Sequence, residues 1–272
     1  MKCPHCKSKK TTERSDRTEL GYRRYRCRNC KRQFNERTGT PFNRLQLPTD
    51  VVFLIVLWRL RYKLSLRDLA EMFLERGFVF THEAVREWER LIAPLITQKL
   101  RKRRKGKVGN SWFVDESYVK VNGKWHYLYR AIDRDGNPVG VRLSPKRDKA
   151  AAKAFFRKAL ETTGVCPDRV TTDGHKPYPA AIKAELGEHV KHRTNQYLNN
   201  HLEQDHRDIK QRYYPMRGFK SFYDASRFCC AFNEVRHHFR PRSCRRKSLS
   251  LQAKRRLYRD RFAQLATMVG AA

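Results

Sequence analysis

Apolar residues between positions 46 and 98 recur at the three- and four-residue spacing of amphipathic helices. An apolar run follows Pro48 and continues to about Tyr62. Ser65 and Asp68 then have the spacing of a capping box. The apolar positions after them share one helical face: Leu66, Leu69, Ala70, Phe73 and Leu74. Gly77 predicts the end of this second helix.

A third helix is predicted after Thr81, which is a suitable N-cap residue. Its apolar face consists of Val85, Trp88, Ile92 and Leu95. Two helices around a short glycine-containing turn predict a helix-turn-helix DNA-binding unit over 46–98. The residues that its second helix would present to a major groove are Thr81, His82, Arg86 and Arg90. The same helix carries acids that repel phosphate, Glu83, Glu87 and Glu89, and a plain three-helix packing unit is the alternative.

Residues 111–235 change to the pattern of an α/β unit. Three antiparallel strands are predicted first, and Asn122-Gly123 is a strong hairpin signal between the first two: Ser111–Val121, Lys124–Asp133 and Val139–Ser144. The later elements are a helix over Lys149–Thr162, a strand over Arg169–Asp173, and helices over Pro179–Leu186 and Asn200–Tyr213. This order predicts an α/β, RNase H-like (integrase-like) core with a mixed sheet.

That topology brings three acids into one region. Asp115 lies on the first strand, Asp173 ends the fourth strand, and those strands are neighbours. Glu203 lies on the late helix, where it can face them. Three converging carboxylates repel each other unless they bind cations, and they are the ligands that Mg²⁺ or Mn²⁺ prefers. Each acid alone could equally be a solvated surface group, and alternation along the strand predicts that Glu116 points to the opposite face.

The composition of the chain indicates that its partner is a polyanion. The 272 residues include 61 Lys and Arg against 27 Asp and Glu, a formal net charge of +34, which favours nucleic acid as the partner. A 39% share of hydrophobic residues argues against disorder throughout. The longest apolar run, Val51–Trp58, is too short to span a membrane, and the first residues lack the pattern of a signal peptide. We therefore expect a cytoplasmic, nucleoid-associated protein.

The positive charge is concentrated at both ends and in one central segment. Lys99–Lys107 contains seven basic and no acidic residues, which predicts a basic linker over 99–110, either a solvated loop or one that follows the DNA backbone. Residues 236–272 form a predicted basic tail with a short amphipathic helix after Ser248. Solvated charge and DNA backbone contact are both open for the tail.

Four of the eight cysteines have the spacing of a metal site. The pattern C-x2-C-x20-C-x2-C is formed by Cys3, Cys6, Cys27 and Cys30. Two such pairs complete a tetrahedral zinc site, so the sequence predicts a zinc ribbon over 1–45; two disulfides are the alternative. Its basic residues suggest contact with DNA phosphates, and a purely structural ribbon is the other possibility. Cys229 and Cys230, in an apolar helical stretch, are predicted to be buried, inert thiols.

Three motifs together resemble those of the DDE-type insertion-sequence transposases, and most closely insertion-sequence family six. They are Phe-Val-Asp-Glu-Ser-Tyr around Asp115, Val-Thr-Thr-Asp-Gly around Asp173, and Asn-Asn-His-Leu-Glu-Gln-Asp-His-Arg around Glu203. The resemblance covers about residues 46–240. It implies that Asp115, Asp173 and Glu203 are the metal-binding triad and that Lys210 positions DNA beside it. The interval between Asp173 and Glu203 is shorter than is usual in the family, and many members lack a zinc ribbon.

The predicted function is therefore transposition. Such an enzyme would bind the terminal inverted repeats of its element as double-stranded DNA, expose 3′ ends with water and divalent metal, and join them to target DNA. It would act as at least a dimer because two element ends must be brought together. The predicted division of the chain is 1–45, 46–98, 99–110, 111–235 and 236–272. The alternatives are a DNA-binding regulator without catalysis and a metal-dependent nuclease.

Overall fold

The structure, a computed structural model, describes residues 1–195, 200–214, 216, 218–241 and 249–271, with only the backbone of the helix described over 200–206. The strands are β1 (Thr11–Arg17), β2 (Arg23–Cys27), β3 (Gln33–Asn35), β4 (Ser111–Val121), β5 (Lys124–Asp133), β6 (Pro138–Ser144), β7 (Arg169–Thr172) and β8 (Lys191–Thr194). The helices are α1 (Thr49–Arg61), α2 (Leu66–Leu74), α3 (His82–Arg104), α4 (Lys149–Thr163), α5 (Pro177–Leu186), α6 (Asn200–Tyr213), α7 (Phe222–Phe239) and α8 (Leu251–Val269).

The first 45 residues form a small antiparallel sheet in the order β1-β2-β3. Its core is minimal and consists of the cysteines with Tyr25 and Phe34, whose rings stack 5.5 Å apart. The sheet is joined to the first helix through Tyr22. The Tyr22 hydroxyl accepts a hydrogen bond from the backbone amide of Thr49 at 2.8 Å and donates one to its side chain at 2.9 Å. A phenol therefore satisfies an amide at the start of α1 that the helix itself leaves free.

Local signals define the ends of the helices that follow. Ser65 and Asp68 form the predicted capping box, with both reciprocal hydrogen bonds present at 3.1 and 2.7 Å. The hydroxyl of Thr81 accepts from the amide of Ala84, as expected of the N-cap of α3. Gly77 has a φ of +80° in the connection between α2 and α3, a conformation that favours glycine.

The prediction of a basic loop after residue 98 was wrong for its first part. Helix α3 continues to Arg104. The reason is a buried stripe at helical spacing that runs past the predicted boundary: Ala93, Ile96, Thr97, Leu100 and Arg104. Most of the basic segment is therefore the exposed side and C-terminal end of a packed helix. Basic residues suit that end, since they offset the negative end of the helix dipole.

The larger sheet has the order β6-β5-β4-β7-β8. The first three strands are antiparallel, whereas β7 pairs in parallel with β4 and β8 pairs in parallel with β7. This is the strand order and direction of an RNase H-like fold, so the predicted mixed sheet is confirmed. Asn122 and Gly123 both have positive φ, 46° and 75°, as a two-residue hairpin turn between β4 and β5 requires.

The two faces of this sheet contribute to two different cores. On one face, β4 and β5 pack against α4 and α5 through residues such as Trp112, Val114, Tyr129 and Phe155. On the other face, side chains from the sheet join a single hydrophobic cluster with α1, α2, α3, α7 and α8. The helical segment is therefore not separated from the sheet by a linker. It completes the core of the α/β unit.

A buried ion cluster fixes α3 to α7 within this arrangement. Glu234 on α7 accepts hydrogen bonds from Arg104 at 2.7 and 2.8 Å and from Arg101 at 3.0 Å. The first influence on the pKa of Glu234 is burial, which raises it, but hydrogen bonds and charge from the two arginines outweigh burial and hold the pKa below its usual range. Arg104 also donates to the carbonyl of Pro138, at the start of β6.

The C-terminal segment is more structured than predicted. Helix α8 is 19 residues long and docks on the helical core, with Leu265, Ala266 and Val269 buried. The Phe262 ring lies 5.6 Å from the Phe53 ring of α1. Apolar residues at helical spacing were present in the sequence, but the high density of basic residues obscured them. In the part of the chain that the structure describes, no helix has the length and hydropathy needed to cross a membrane.

Loss of the buried carboxylate should destabilise the protein strongly. Glu234→Ala leaves Arg104 and Arg101 without their counter-charge, and breaking a buried pair in this way commonly costs about 3–5 kcal/mol. Urea unfolding of the full chain would measure the change in the free energy of unfolding. Lys158→Ala, which breaks an exposed pair with Glu161, is the control and should cost less than about 0.5 kcal/mol. Equal effects of the two substitutions would contradict this role for Glu234.

Candidate active site

The candidate site lies where two neighbouring strands differ in length. Strand β7 pairs with β4 only as far as Thr171 opposite Phe113, and it ends at Thr172. Strand β4 continues for eight more residues, so its edge is not paired with β7 from Asp115 onwards. Asp173 follows directly on the end of β7. A short parallel strand beside a long one therefore brings Asp115 and Asp173 to the same place.

Three carboxylates meet at this edge. Oxygen atoms of Asp115, Glu116 and Asp173 all lie within 4.8 Å of one another. Three negative charges at such distances repel each other strongly in a partly buried site. The arrangement also offers several hard oxygen ligands converging on one point, which suits a divalent cation of the Mg²⁺ or Mn²⁺ type. The cluster therefore has the donor set of a divalent metal site.

The pKa of Asp115 is raised by burial and by this crowding of negative charge. Burial is the main cause that raises its pKa to about 7, and the charges of Asp173 and Glu116 raise it further. A hydrogen bond of 2.8 Å from the backbone amide of Glu116 opposes the shift, as does the positive charge of Arg147. A bound cation would offset the cost of ionising Asp115, because it replaces like charges with an opposite one.

Glu116 lies in the cluster, although alternation along β4 predicts that it points to the opposite face from Asp115. Alternation along β4 holds, since Glu116 is directly opposite Tyr129, whose ring packs against Phe155 on the α4 side of the sheet. The inference that Glu116 lies away from Asp115 was nevertheless wrong. Strand β7 has already ended at this point, so it does not cover the edge of β4. The long side chain of Glu116 can therefore extend around that edge to Asp115 and Asp173. Its position next to Asp115 was the available signal.

An arginine partly neutralises the cluster. The guanidinium of Arg147, which precedes α4, lies 3.4 Å from both oxygens of Glu116 and 3.3 Å from Asp173. Glu116 is almost completely buried, with 3% of its side chain exposed, whereas Asp173 is 33% exposed. The buried glutamate thus anchors the arginine from inside, and the arginine contacts the more exposed aspartate.

Two buried tyrosines line the inner side of Glu116. The hydroxyl of Tyr178 comes close to this carboxylate without meeting hydrogen-bond geometry. Burial first, and then the negative charge of Glu116, raise the pKa of Tyr178 far above its usual value. The same two causes raise the pKa of Tyr129. Within the described part of the chain, neither hydroxyl has a hydrogen-bond partner.

The other predicted site residues lie on α6. This helix passes over β4, and the hydroxyl of Tyr213 donates to the backbone carbonyl of Tyr118 at 3.4 Å. Glu203 is within α6, but its side chain lies outside the described residues, so its role as the third metal ligand stays a prediction. Lys210 is described and is half-buried on the same helix. The metal-binding roles of Asp115 and Asp173 likewise stay predictions.

Other acids near these elements have structural partners. Asp133 accepts hydrogen bonds from the amides of Gly109, Asp135 and Asn137, so it stabilises the turn after β5. Asp208 of α6 forms an ion pair with Arg236 of α7 at 2.5 Å.

A second potential metal centre lies at the cysteine pairs. The sulfur of Cys3 is 3.6 Å from that of Cys30, and the sulfur of Cys6 is 3.5 Å from that of Cys27. All four sulfurs lie within 4.8 Å of one another, and these cysteines are free thiols. The pKa of Cys6 is lowered to about 6, chiefly by a hydrogen bond from the Ser8 backbone.

The pKa of Asp115 predicts an unusual dependence of stability on pH. Its folded pKa is raised, so the folded chain binds more protons than the unfolded chain between about pH 4 and 7, and stability falls as the pH rises through this window. Without added divalent metal, Asp115→Asn should stabilise the protein at pH 8 by about 1–3 kcal/mol and have no effect near pH 4. Thermal unfolding at the two pH values would measure this. Asp135→Asn, in an exposed turn, should change stability at neither pH; stabilisation by Asp115→Asn at both would contradict the electrostatic cause.

Comparison with known proteins identifies the family of this chain. A family model described as a DDE domain matches residues 109–242. The transposase for the insertion sequence-like element IS431mec of Staphylococcus aureus (strain Mu50 / ATCC 700699) is 39% identical over 176 residues, which are 63% of this chain and 77% of the relative. The transposase for insertion sequence element IS257 in transposon Tn4003 of Staphylococcus aureus has the same identity and coverage.

A solved structure of the HTLV-2 integrase catalytic core domain in complex with magnesium covers 57% of this chain and 99% of its own, at 15% identity and a TM-score of 0.37. A likeness this low does not extend to the geometry of the site. The relatives, by contrast, share more than a third of their aligned residues over most of their length. The DDE-domain match spans both Asp115 and Asp173. The chain belongs to the DDE-type insertion-sequence transposases, family six.

Proposed function

We propose that this chain binds the terminal inverted repeats of an insertion sequence, cleaves the DNA with the help of a divalent metal, and joins the exposed 3′ ends to target DNA. The observation that carries the proposal is the group of carboxylates, all within 4.8 Å of one another, where the central strand β4 extends beyond the end of β7. A protein that only binds DNA has no need of such a group, because carboxylates repel phosphates.

In this proposal Asp115 and Asp173 hold Mg²⁺ or Mn²⁺ together with Glu203 of α6. The bound ions would activate the attacking water or 3′ hydroxyl and stabilise the leaving oxygen. Glu116 and Arg147 orient the site, since the buried glutamate holds the arginine against Asp173. No covalent protein–DNA intermediate is required, because transesterification uses the DNA hydroxyl itself as the nucleophile.

Lys210 is proposed to contact the DNA backbone beside the metal site. It follows Glu203 by seven residues, which is close to two turns, so the two residues share a face of α6. One helix would then supply both a metal ligand and a cation for the phosphate. The fit of this helix over β4 supports the assignment, because β4 carries Asp115.

Double-stranded DNA is proposed to contact the start of α3. The acids that argued against a recognition helix have local partners: Glu83 pairs with Arg86, and Glu87 pairs with Arg90 at 2.7 Å. Glu89 is buried in an ion pair with Arg59. The repulsion expected from these acids is therefore weaker than the sequence suggests, and the arginines can exchange a carboxylate for a phosphate.

The cysteine cluster is proposed to hold structural zinc. A tetrahedral site with Zn–S bonds of about 2.3 Å has sulfurs about 3.8 Å apart, close to the 3.5 and 3.6 Å separations of the paired sulfurs. Lys7 and Lys31, which follow Cys6 and Cys30, have φ values of 60° and 59°, so the two cysteine turns have the same shape. The small core of this sheet needs the additional stability that a metal supplies.

The proposed enzyme works at the nucleoid, where its substrate is, and as at least a dimer, because two element ends must be joined in one complex. A DNA-binding regulator and a simple nuclease are the competing functions. The carboxylate cluster favours an enzyme over the regulator, and the family favours strand joining over cleavage alone.

The proposal predicts that metal-ligand substitutions abolish strand transfer. With labelled terminal-repeat DNA and Mg²⁺, Asp115→Asn, Asp173→Asn and Glu203→Gln should each lower the rate of joining by more than about a hundredfold, since loss of even an outer partner of a metal ligand costs about 10- to 100-fold. Gel analysis of joined and cleaved strands is the measurement. Asp135→Asn is the matched aspartate control and should retain the full rate.

The products separate the competing functions. Cleaved strands without joined strands would identify a nuclease, and tight repeat binding without either product would identify a regulator. Equal joining by the wild type and Asp115→Asn would exclude the proposed site.

Zinc binding has its own test. The purified chain should contain one zinc ion, and Cys6→Ser or Cys27→Ser should remove it and lower the melting temperature, because the small sheet then lacks its central cross-link. Metal analysis by mass spectrometry and thermal unfolding would measure both effects. Cys166→Ser, at an exposed thiol outside the cluster, should leave zinc content and stability unchanged. Full zinc content in both cluster variants would refute the site.

A further inference from the structure

Three aromatic side chains and a lysine lie together on the β4–β5 hairpin. They are Tyr118 and Lys120 on β4 with Trp125 and the partly buried Tyr127 on β5, and we call them the aromatic strip. Tyr118 is 46% exposed and Trp125 is 55% exposed. The rings contact one another, with centroids 5.4 Å apart for Tyr118 and Tyr127 and 6.4 Å apart for Tyr118 and Trp125.

Strand register puts the strip on a single face of the sheet. Tyr118 is directly opposite Tyr127, and Lys120 is directly opposite Trp125. The ammonium of Lys120 lies 5.8 Å from the centroid of the Trp125 ring, so a positive charge is built into the strip. Side chains directly opposite each other in an antiparallel pair point to the same side. The strip therefore presents rings and a cation together.

The same face leads directly to the carboxylate cluster. Glu116 precedes Tyr118 by two residues on β4, and side chains two residues apart share a face about 7 Å from each other. Tyr118 also lies near Arg147, the arginine that contacts Glu116 and Asp173. The strip therefore begins directly beside the cluster on the same strand and the same face.

The side chains of the strip indicate which kind of ligand it binds. The α4 side of the sheet is covered along Trp112 and Val114, but the rings of Tyr118 and Trp125 farther along the hairpin are open to solvent. Flat aromatic faces beside lysines bind the bases of unpaired nucleic acid, because every base offers a face for stacking and the cations attract the backbone. Paired bases do not offer these faces. Charge complementarity with Lys120 favours a polyanion over a second copy of this basic chain.

We propose that the aromatic strip is a stacking site for one or two unpaired bases of the DNA strand that enters the carboxylate cluster. This inference rests on the proposed function and deepens it: the substrate at the site is locally unpaired DNA rather than continuous duplex. Stacking on Tyr118 and Trp125 would hold bases out of the helix and bring the adjoining phosphate towards Asp115 and Asp173. The strip is a positioning surface and takes no part in the reaction itself.

Binding to single-stranded DNA tests the proposal. Fluorescence anisotropy of a labelled ten-residue oligothymidylate would be measured with the full chain and without added divalent metal. Trp125→Ala and Tyr118→Ala should each weaken binding by about 5- to 100-fold, the usual range for the loss of one stacked base. Affinity for a fully paired duplex of random sequence should change by less than about twofold.

Three further variants make the result specific to stacking. Trp125→Phe keeps an aromatic face and should retain most of the affinity, whereas Trp125→Leu keeps apolar bulk without that face and should lose as much as Trp125→Ala. Tyr223→Ala removes a tyrosine that is 80% exposed on α7, away from the strip, and should bind single strands as the wild type does. Unchanged single-strand binding by Trp125→Ala, or an equal loss for duplex and single strand, would overturn the proposal.

Two controls separate this inference from the proposed function and from a contact between copies. Asp115→Asn should bind single strands at least as tightly as the wild type, because stacking needs no catalysis and the substitution removes a charge that repels phosphate. If the strip variants lose single-strand affinity while the wild type joins no strands in Mg²⁺, the stacking site stands and the proposed function fails. Sedimentation of Trp125→Ala should match the wild type; dissociation of an oligomer by this variant would show that the strip is an interface between copies and would overturn the proposal.

Discussion

The site depends on one constraint: three negative charges are crowded together where β4 extends beyond the end of β7. Asp115, Glu116 and Asp173 bring their oxygens within 4.8 Å, and burial raises the cost of ionising the first of them. The fold accepts this cost because a strand that ends early leaves the edge of β4 open, and because Arg147 partly offsets the charge. Such an arrangement is unfavourable in an empty site and favourable around a cation, which is the property that a metal-dependent enzyme requires.

Arginines also stabilise a buried carboxylate in another part of the fold, where the purpose is structural. Glu234 is completely buried, yet Arg101 and Arg104 keep it ionised and thereby connect α3, α7 and β6. The helical segment consequently shares one core with the sheet. If this segment binds DNA as proposed, the shared core holds the bound DNA in a fixed position relative to the carboxylate cluster.

The sequence predicted best what depends on near neighbours. The capping box at Ser65 and the hairpin at Asn122 were correct because each follows from local spacing. Strand β8 was not predicted, because its four residues carry no alternating pattern and pair with the distant β7. The loop expected after residue 98 was wrong, because dense basic residues obscured a buried stripe that only tertiary packing explains. The helix expected after Ser248 is present, but it is longer than predicted for the same reason. Glu116 was missed for a related reason: alternation correctly gave its face, but how far a long side chain reaches around a free edge depends on where the neighbouring strand ends.

A metal site made of carboxylates creates a difficulty for any enzyme that acts on DNA, since the acids repel the phosphate they must attack until the cation is bound. The excess of lysine and arginine supplies attraction, but that attraction weakens steeply with salt and acts on DNA of every sequence and shape. Stacking on aromatic rings differs in both respects. It depends little on salt, and it acts only on bases that have left the helix. Aromatic side chains directly beside Glu116 would therefore hold the strand at the acids by a force that the negative charge does not oppose, and only when the DNA is already distorted for cleavage.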